Sequence, residues 1–252
     1  MEKEKKIFKK DFTVIKPVSV NNRVFQMGFL LDSVPSKLVE EFETIYQNSL
    51  KDINGQKRHN NYLAGEIENE FLVESSEEFE NYLIDLCRYY EVKTDGYIKM
   101  LAFDTKFQIS LSELIKPKRI KIHHLPKLTL GPVWMNMQKK HEYNPVHNHT
   151  GVMSFVVWHK IPYTVEDEME KRPNKYRDDK DNMKNGAFLF QYTMGDEIIA
   201  HSVADSSDFE NVIAVFPSSL RHAVNPFYSS EEYRVSFSGN LYFDLSNFYK
   251  HS

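Results

Sequence analysis

Among its 252 residues the sequence has one cysteine, Cys87. An intramolecular disulfide is therefore excluded, and no cysteine cluster offers a structural zinc site; both point to a reducing compartment and away from thiol redox chemistry. Long hydrophobic runs are also missing. The longest, Val152 to Trp158 broken by Ser154, is far shorter than the roughly 20 residues of a membrane-spanning helix and reads as a buried strand. Neither sign of charge dominates: the formal net charge is -4 and the pI is near 6.2, which gives no overall electrostatic reason for nonspecific binding to nucleic acid or anionic membrane. The segment Met1 to Lys10 is lysine-rich, lacks the apolar core of a secretion signal and carries acidic residues unlike a transit peptide, so a cytoplasmic location without membrane association is expected. There is no internal repeat, glycine-rich phosphate loop or nucleophilic Cys or Ser motif.

What is present is enough apolar matter for a sizeable core: 41% of the chain is hydrophobic and 13% is aromatic. The first half carries helical periodicity. Leu38, Val39, Phe42, Ile45, Tyr46 and Ser49 share one face of a helix over Pro35 to Leu50, and a second helix is expected from a Ser75/Glu78 capping box through Phe79, Tyr82, Leu83, Leu86 and Tyr90. From about Lys127 the pattern turns to short Val-, Ile-, Phe- and Tyr-rich segments. Strands are expected near Val133–Gln138, Val152–His159, Ala187–Thr193, Ile198–Ala204, Val212–Phe216, Arg221–Val224 and Tyr233–Phe243, the signature of an antiparallel sandwich or barrel. The chain thus reads as mainly β with N-terminal helices (α+β): residues 1–126 form a helical or mixed region packed on the core, and 127–252 form the β core. A charged stretch at about 162–186, with Glu166, Asp167, Glu168, Glu170, Asp178, Asp179 and Asp181 among Lys and Arg of nearly equal number, reads as an inserted surface loop, either a lid or a solvated insertion.

Chemistry concentrates at a few positions. Asn144-Pro145-Val146-His147-Asn148-His149 sets two imidazoles two residues apart, on one face of an extended strand. A third, His222, follows the Pro217-Ser218 turn on a later strand. Three ligands on one octahedral face suit ferrous iron, because three positions stay open for a bidentate cosubstrate and dioxygen. Twelve positions beyond His222 comes Arg234, sharing a strand face with Ser236. A guanidinium grips a carboxylate in a two-pronged geometry and the hydroxyl adds a donor. The structural reading of Arg234 needs a buried acidic partner or an edge position in the sheet.

The succession W-x-N (Trp134, Asn136), N-P-x-H-x-H (His147, His149), F-P-S-x-L-x-H-x-V-x-P (His222) and R-x-S (Arg234, Ser236) resembles the 2-oxoglutarate and Fe(II)-dependent oxygenases, and more closely a branch found in phages and bacteria. The resemblance runs from about Val133 to Phe243, less than half of the chain. It implies a double-stranded β-helix (jelly-roll or cupin-like) core, iron at its mouth held by His147, His149 and His222, and 2-oxoglutarate on the iron with its far carboxylate on Arg234 and Ser236. It also implies oxidative decarboxylation to succinate and carbon dioxide with hydroxylation of a substrate C–H bond. For a phage-borne member the compartment would be the host cytoplasm.

Most of that superfamily carries a carboxylate where this chain has His149, which leaves a bound iron one unit more positive. A second register takes His149 as first ligand and sets Gly151 in the carboxylate position. Asn136 reads equally as a donor to the cosubstrate and as a structural amide. His123 and His124, beside Lys116, Lys118, Arg119 and Lys121, read as a solvated linker before a nucleic-acid contact. Asp178, Asp179 and Asp181 lack the glycine and distal glutamate of a calcium loop. Two rivals stand beside the oxygenase: a non-catalytic jelly-roll binding module, and a three-histidine cupin-type dioxygenase that uses no 2-oxoglutarate. The prime substrate and the oligomeric state are not legible.

Overall fold

A computed structural model describes residues 7–20, 23–51, 53, 65–103, 127–171 and 184–244. The linker histidines and their basic run, and the three aspartates at 178, 179 and 181, lie outside the described residues.

Eight strands of the second half form two facing antiparallel sheets. Four of them, β4 (Leu128–Gln138), β6 (Met153–Lys160), β9 (Val212–Pro217) and β11 (Arg234–Phe243), alternate in the chain with β5 (Asn144–His147), β7 (Phe188–Met194), β8 (Glu197–Val203) and β10 (Arg221–Val224). The first set pairs in the order β9-β6-β11-β4 and the second as β5-β10-β7-β8. Because neighbours in one sheet come from distant parts of the chain, the strands wind around a common core as a double-stranded β-helix. All seven strands read in the second half of the sequence are found within a few residues of their expected ends.

The larger sheet is extended by the first half of the chain. β1 (Asp11–Val20) pairs with β2 (Arg23–Ser33), β2 joins β9, and β3 (Asn69–Val73) adds to the other edge against β4. None of these three strands was expected from the sequence. β1 mixes Lys16 and Pro17 into a ladder with a register shift after Val14, and β3 is only five residues long, so neither shows a run of clean period-two alternation.

Helix α1 (Ser36–Lys51) and helix α2 (Glu77–Lys93) lie on the outer face of that sheet. Their aromatic residues meet it: Phe42 packs at a tilt on Phe237 at 4.5 Å and Phe79 meets Phe155 edge-on at 5.3 Å. The cap of α2 is Ser76, not Ser75; its hydroxyl accepts from the Phe79 N–H and donates to Glu41 at 2.6 Å. With the cap one residue later, Glu78 is no longer at the third helical position, and it pairs with Lys37 instead. Helix α3 (Tyr97–Phe103) follows. No helix among the described residues is long and apolar enough to cross a membrane.

The charged stretch after Pro162 is structured where it is described. Thr164 and Asp167 form a capping box for the short helix α4 (Val165–Glu170). Glu168 is buried, contrary to the expectation of a solvated loop, and its carboxylate accepts from the backbone N–H groups of Tyr228 and Ser229 and from the Ser229 hydroxyl. Three donors satisfy a charge that burial alone would make costly.

Candidate active site

The mouth of the double-stranded β-helix collects the residues singled out from the sequence. β5 pairs antiparallel with β10, with His147 directly opposite His222. His149 lies just past the end of β5, and its backbone N–H donates to the Ser218 carbonyl at 2.9 Å, which turns its ring back toward the pair. The three imidazoles offer ligand nitrogens that all fall within 4.8 Å of one another. His149 Nε2 and His222 Nε2 are 3.1 Å apart, and the ring centres of His147 and His222 are 4.3 Å apart. Gly151 takes φ +114 with the Leu241 carbonyl 3.1 Å from where a Cβ would stand, so this glycine serves a tight turn.

Local hydrogen bonds set the rings for ligation. His147 Nδ1 lies 2.7 Å from the Pro145 carbonyl and His222 Nδ1 lies 2.9 Å from the Leu220 carbonyl. A carbonyl only accepts, so each Nδ1 carries the proton and each Nε2 presents a lone pair. His222 stacks flat on Phe188, with centroids 5.3 Å apart and an interplanar angle of 13°. Burial, and then the neighbouring His147, hold the His222 ring well below the usual imidazole range. Burial and His147 likewise push His149 down to about 4, and burial lowers His147 against the opposing pull of its Pro145 bond. All three are neutral at physiological pH, the state a metal ion requires.

Across the cavity, the larger sheet supplies a polar floor. Trp134, Asn136 and Gln138 on β4, Ser236 and Arg234 on β11, and Trp158 on β6 all line the same space as the three histidines. Arg234 is only 3% exposed. Its Nη1 donates to Gln138 Oε1 at 3.2 Å, while Nε and Nη2 have no protein partner. The acidic partner demanded by a purely structural reading is therefore not there among the described residues. Asn136 Nδ2 donates to Ser236 Oγ at 3.4 Å, leaving Asn136 Oδ1 without a donor. Trp158 Nε1, Asn144 Oδ1 and Glu70 Oε1 are likewise buried without partners. Every such side-chain atom among the described residues belongs to a residue of this one cavity. Buried polar groups are ordinarily satisfied, so their gathering here marks a place built for a polar ligand.

The arrangement brings together His147, His149, His222, Arg234, Ser236 and Asn136, and adds three residues that sequence reasoning missed. Trp158 was read as part of an apolar strand, and nothing in that run indicates that its N–H lacks a partner. Asn144 was visible only as part of the motif framing His147. Glu70 sits in β3, and its place opposite Asn136 follows from a pairing with no local signal.

On a double-stranded β-helix, a three-imidazole cluster that could hold one metal ion thus shares a cavity with a buried, half-free guanidinium that could take an anion. Residues 132–240, less than half of the chain, match the family model described as "Putative 2OG-Fe(II) oxygenase", and this stretch is similar to the 2-oxoglutarate- and Fe(II)-dependent oxygenases. These are oxidoreductases with Fe(II) as cofactor and 2-oxoglutarate as cosubstrate. Among solved structures the chain is similar to a Pseudomonas putida prolyl-4-hydroxylase, at 11% identity and TM-score 0.47 over 86% of this chain and 94% of that one. It is also similar to a prolyl hydroxylase from Trichoplax adhaerens solved with a hypoxia inducible factor oxygen degradation domain peptide, at 13% identity and TM-score 0.43 over 89% and 87%. An oxidoreductase of the 2OG-Fe(II) oxygenase family from Burkholderia pseudomallei matches at 12% identity and TM-score 0.31 over 56% and 54%. No curated protein matches the chain.

Proposed function

We propose that this protein is a dioxygenase that hydroxylates a prime substrate while converting 2-oxoglutarate to succinate and carbon dioxide, with iron held by His147, His149 and His222. The observation that carries the reading is the pairing, within one cavity, of three neutral imidazoles with an arginine whose Nε and Nη2 are buried and unpartnered. The donor set fits both groups: imidazole nitrogens suit ferrous iron, and the free edge of a guanidinium suits a carboxylate. Bound iron supplies the activation of dioxygen for an oxidation that no amino-acid side chain performs.

The chain's own residues have separate tasks. The Pro145 and Leu220 carbonyls hold His147 and His222 in the tautomer that presents Nε2. Arg234 and Ser236 bind the distal carboxylate of 2-oxoglutarate, Asn136 Nδ2 holds the Ser236 hydroxyl in place, and Gln138 fixes the guanidinium by accepting from Nη1. Trp158 Nε1 supplies a further donor from the same floor. Phe188, Phe216 and Val224 wall the space beside His222 and keep bulk water from the reacting centre.

A second reading, a three-histidine dioxygenase without 2-oxoglutarate, rests on the imidazole of His149 in the position where a carboxylate is usual. Anaerobic titration with Fe(II) and then 2-oxoglutarate separates the two. The oxygenase reading expects a metal-to-ligand charge-transfer band that disappears in His222→Ala. In Arg234→Ala the band should require at least tenfold more 2-oxoglutarate, as loss of a charge-assisted, two-pronged contact implies. Iron binding without the band would favour the three-histidine dioxygenase, and no iron binding would leave a binding module on the same fold.

A further inference from the structure

The cavity's unpartnered atoms divide by chemistry as well as by place. At the floor formed by β11 and β6 they are donors: Arg234 Nε, Arg234 Nη2 and Trp158 Nε1. Toward the β3 edge they are acceptors: Glu70 Oε1, Asn136 Oδ1 and Asn144 Oδ1. A dicarboxylate answers the first group and leaves the two amide oxygens of the second unanswered, because acceptors facing acceptors repel.

Glu70 is 3% exposed and lines the cavity. β3 pairs with β4 and β4 with β11, so that Glu70, Asn136 and Ser236 lie in one row across the sheet. At about 4.8 Å per strand, Glu70 stands about 10 Å along the sheet from Ser236. A 2-oxoglutarate anchored on β11 and directed to the histidines of the opposite sheet leaves the β3 wall uncovered. We propose that Glu70, with Asn136 and Asn144 beside it, selects the prime substrate by receiving a cationic nitrogen group, an ammonium or a guanidinium. This assignment rests on the oxygenase reading for calling its ligand the prime substrate.

Two further observations agree. The rim at this edge is acidic: Glu66 and Glu68 precede β3, their backbone N–H groups donate to the Tyr143 carbonyl and the Glu142 carboxylate respectively, and the neighbouring cation Lys139 is paired with Glu68. Burial, followed by repulsion from Glu142, pushes the Glu70 carboxyl up to about 8. A cation entering beside it would restore the charged form, so the site discriminates by charge and not by size alone.

Both tryptophans of the chain, Trp134 and Trp158, line the cavity, so intrinsic fluorescence reports its occupation without turnover. The test is to titrate the chain anaerobically, with and without Fe(II) and 2-oxoglutarate, using n-butylammonium and n-butylguanidinium as cationic probes and n-butanol and butyrate as controls. At least one cation should give a saturable change in emission at a concentration tenfold or more below either control. Glu70→Gln should weaken that cation at least tenfold while leaving the 2-oxoglutarate band at its native midpoint, and Glu70→Asp should keep the preference at lower affinity. Equal response to cations and controls, no saturable response, or unchanged affinity in Glu70→Gln would each overturn the assignment. Should Glu70→Gln fail to fold, the ranking of probes on the native chain still decides. Loss of the charge-transfer band with cation binding intact would refute the oxygenase reading and leave the cation-binding wall standing.

Discussion

A buried carboxyl whose charge is disfavoured leaves a signature in stability. Glu70 titrates near the ordinary carboxylate value when unfolded and at about 8 when folded, because burial and then Glu142 oppose its ionisation. Between those values the native state binds the extra proton, so stability falls as pH rises from about 4.5 through 8. Glu70→Gln removes this slope. Urea unfolding should find the variant more stable than the native chain at pH 9, with the difference closing at pH 5; parallel curves would mean that the carboxyl is not held neutral. At this scale the sequence was informative in part. The gathering of His147, His149, His222 and Arg234 in one cavity was legible because the metal and carboxylate binding proposed for them demands particular side chains at particular spacings. Glu70 and Trp158 were not, because what distinguishes them is the lack of a partner, and partners are set by pairing between strands far apart in the chain.

Among elements, α2 shows how a local signal is read nearly right. Its apolar spacing places Phe79, Leu83, Leu86 and Tyr90 in the core as expected, but two adjacent serines offer the same cap and only tertiary contact chooses between them. Glu41 on α1 accepts both from the Ser76 hydroxyl and from the Ser76 backbone N–H at 3.1 Å, tying the start of one helix to the middle of the other. Ser76→Ala should therefore cost about 1–2 kcal/mol in denaturant unfolding, at the upper part of the usual range for a lost cap, while Ser75→Ala should fall within about 0.5 kcal/mol of the native chain. The strands of the second half were legible because each is bounded by turn residues and rich in β-branched or aromatic side chains. β1 was hidden because an edge strand tolerates Lys16 and Pro17 where a central strand would not, and β3 because it is only five residues long and turns a buried glutamate, Glu70, into the cavity.

For the molecule as a whole, the first half of the chain is structural to the second. β2 covers the free edge of β9, and Phe29 on it stacks on Phe190 at 4.6 Å, while Phe42 and Phe79 seal Phe237 and Phe155 from outside. A fragment limited to residues 132–240 would expose these aromatic faces and two unpaired strand edges. It is expected to lack a cooperative unfolding transition by circular dichroism and to aggregate, whereas the full chain should unfold in a single step. The side chains proposed to bind iron and cosubstrate all fall inside the matched stretch, yet Glu70 does not. It stands on β3, which among the described residues has a single hydrogen-bonded neighbour in the sheet. A strand that answers to one ladder can change its side chains without rebuilding the barrel, so the machinery of oxidation and the choice of what is oxidised are free to evolve at different rates: relatives that share every residue of the metal centre can diverge in substrate through five residues at the sheet's margin.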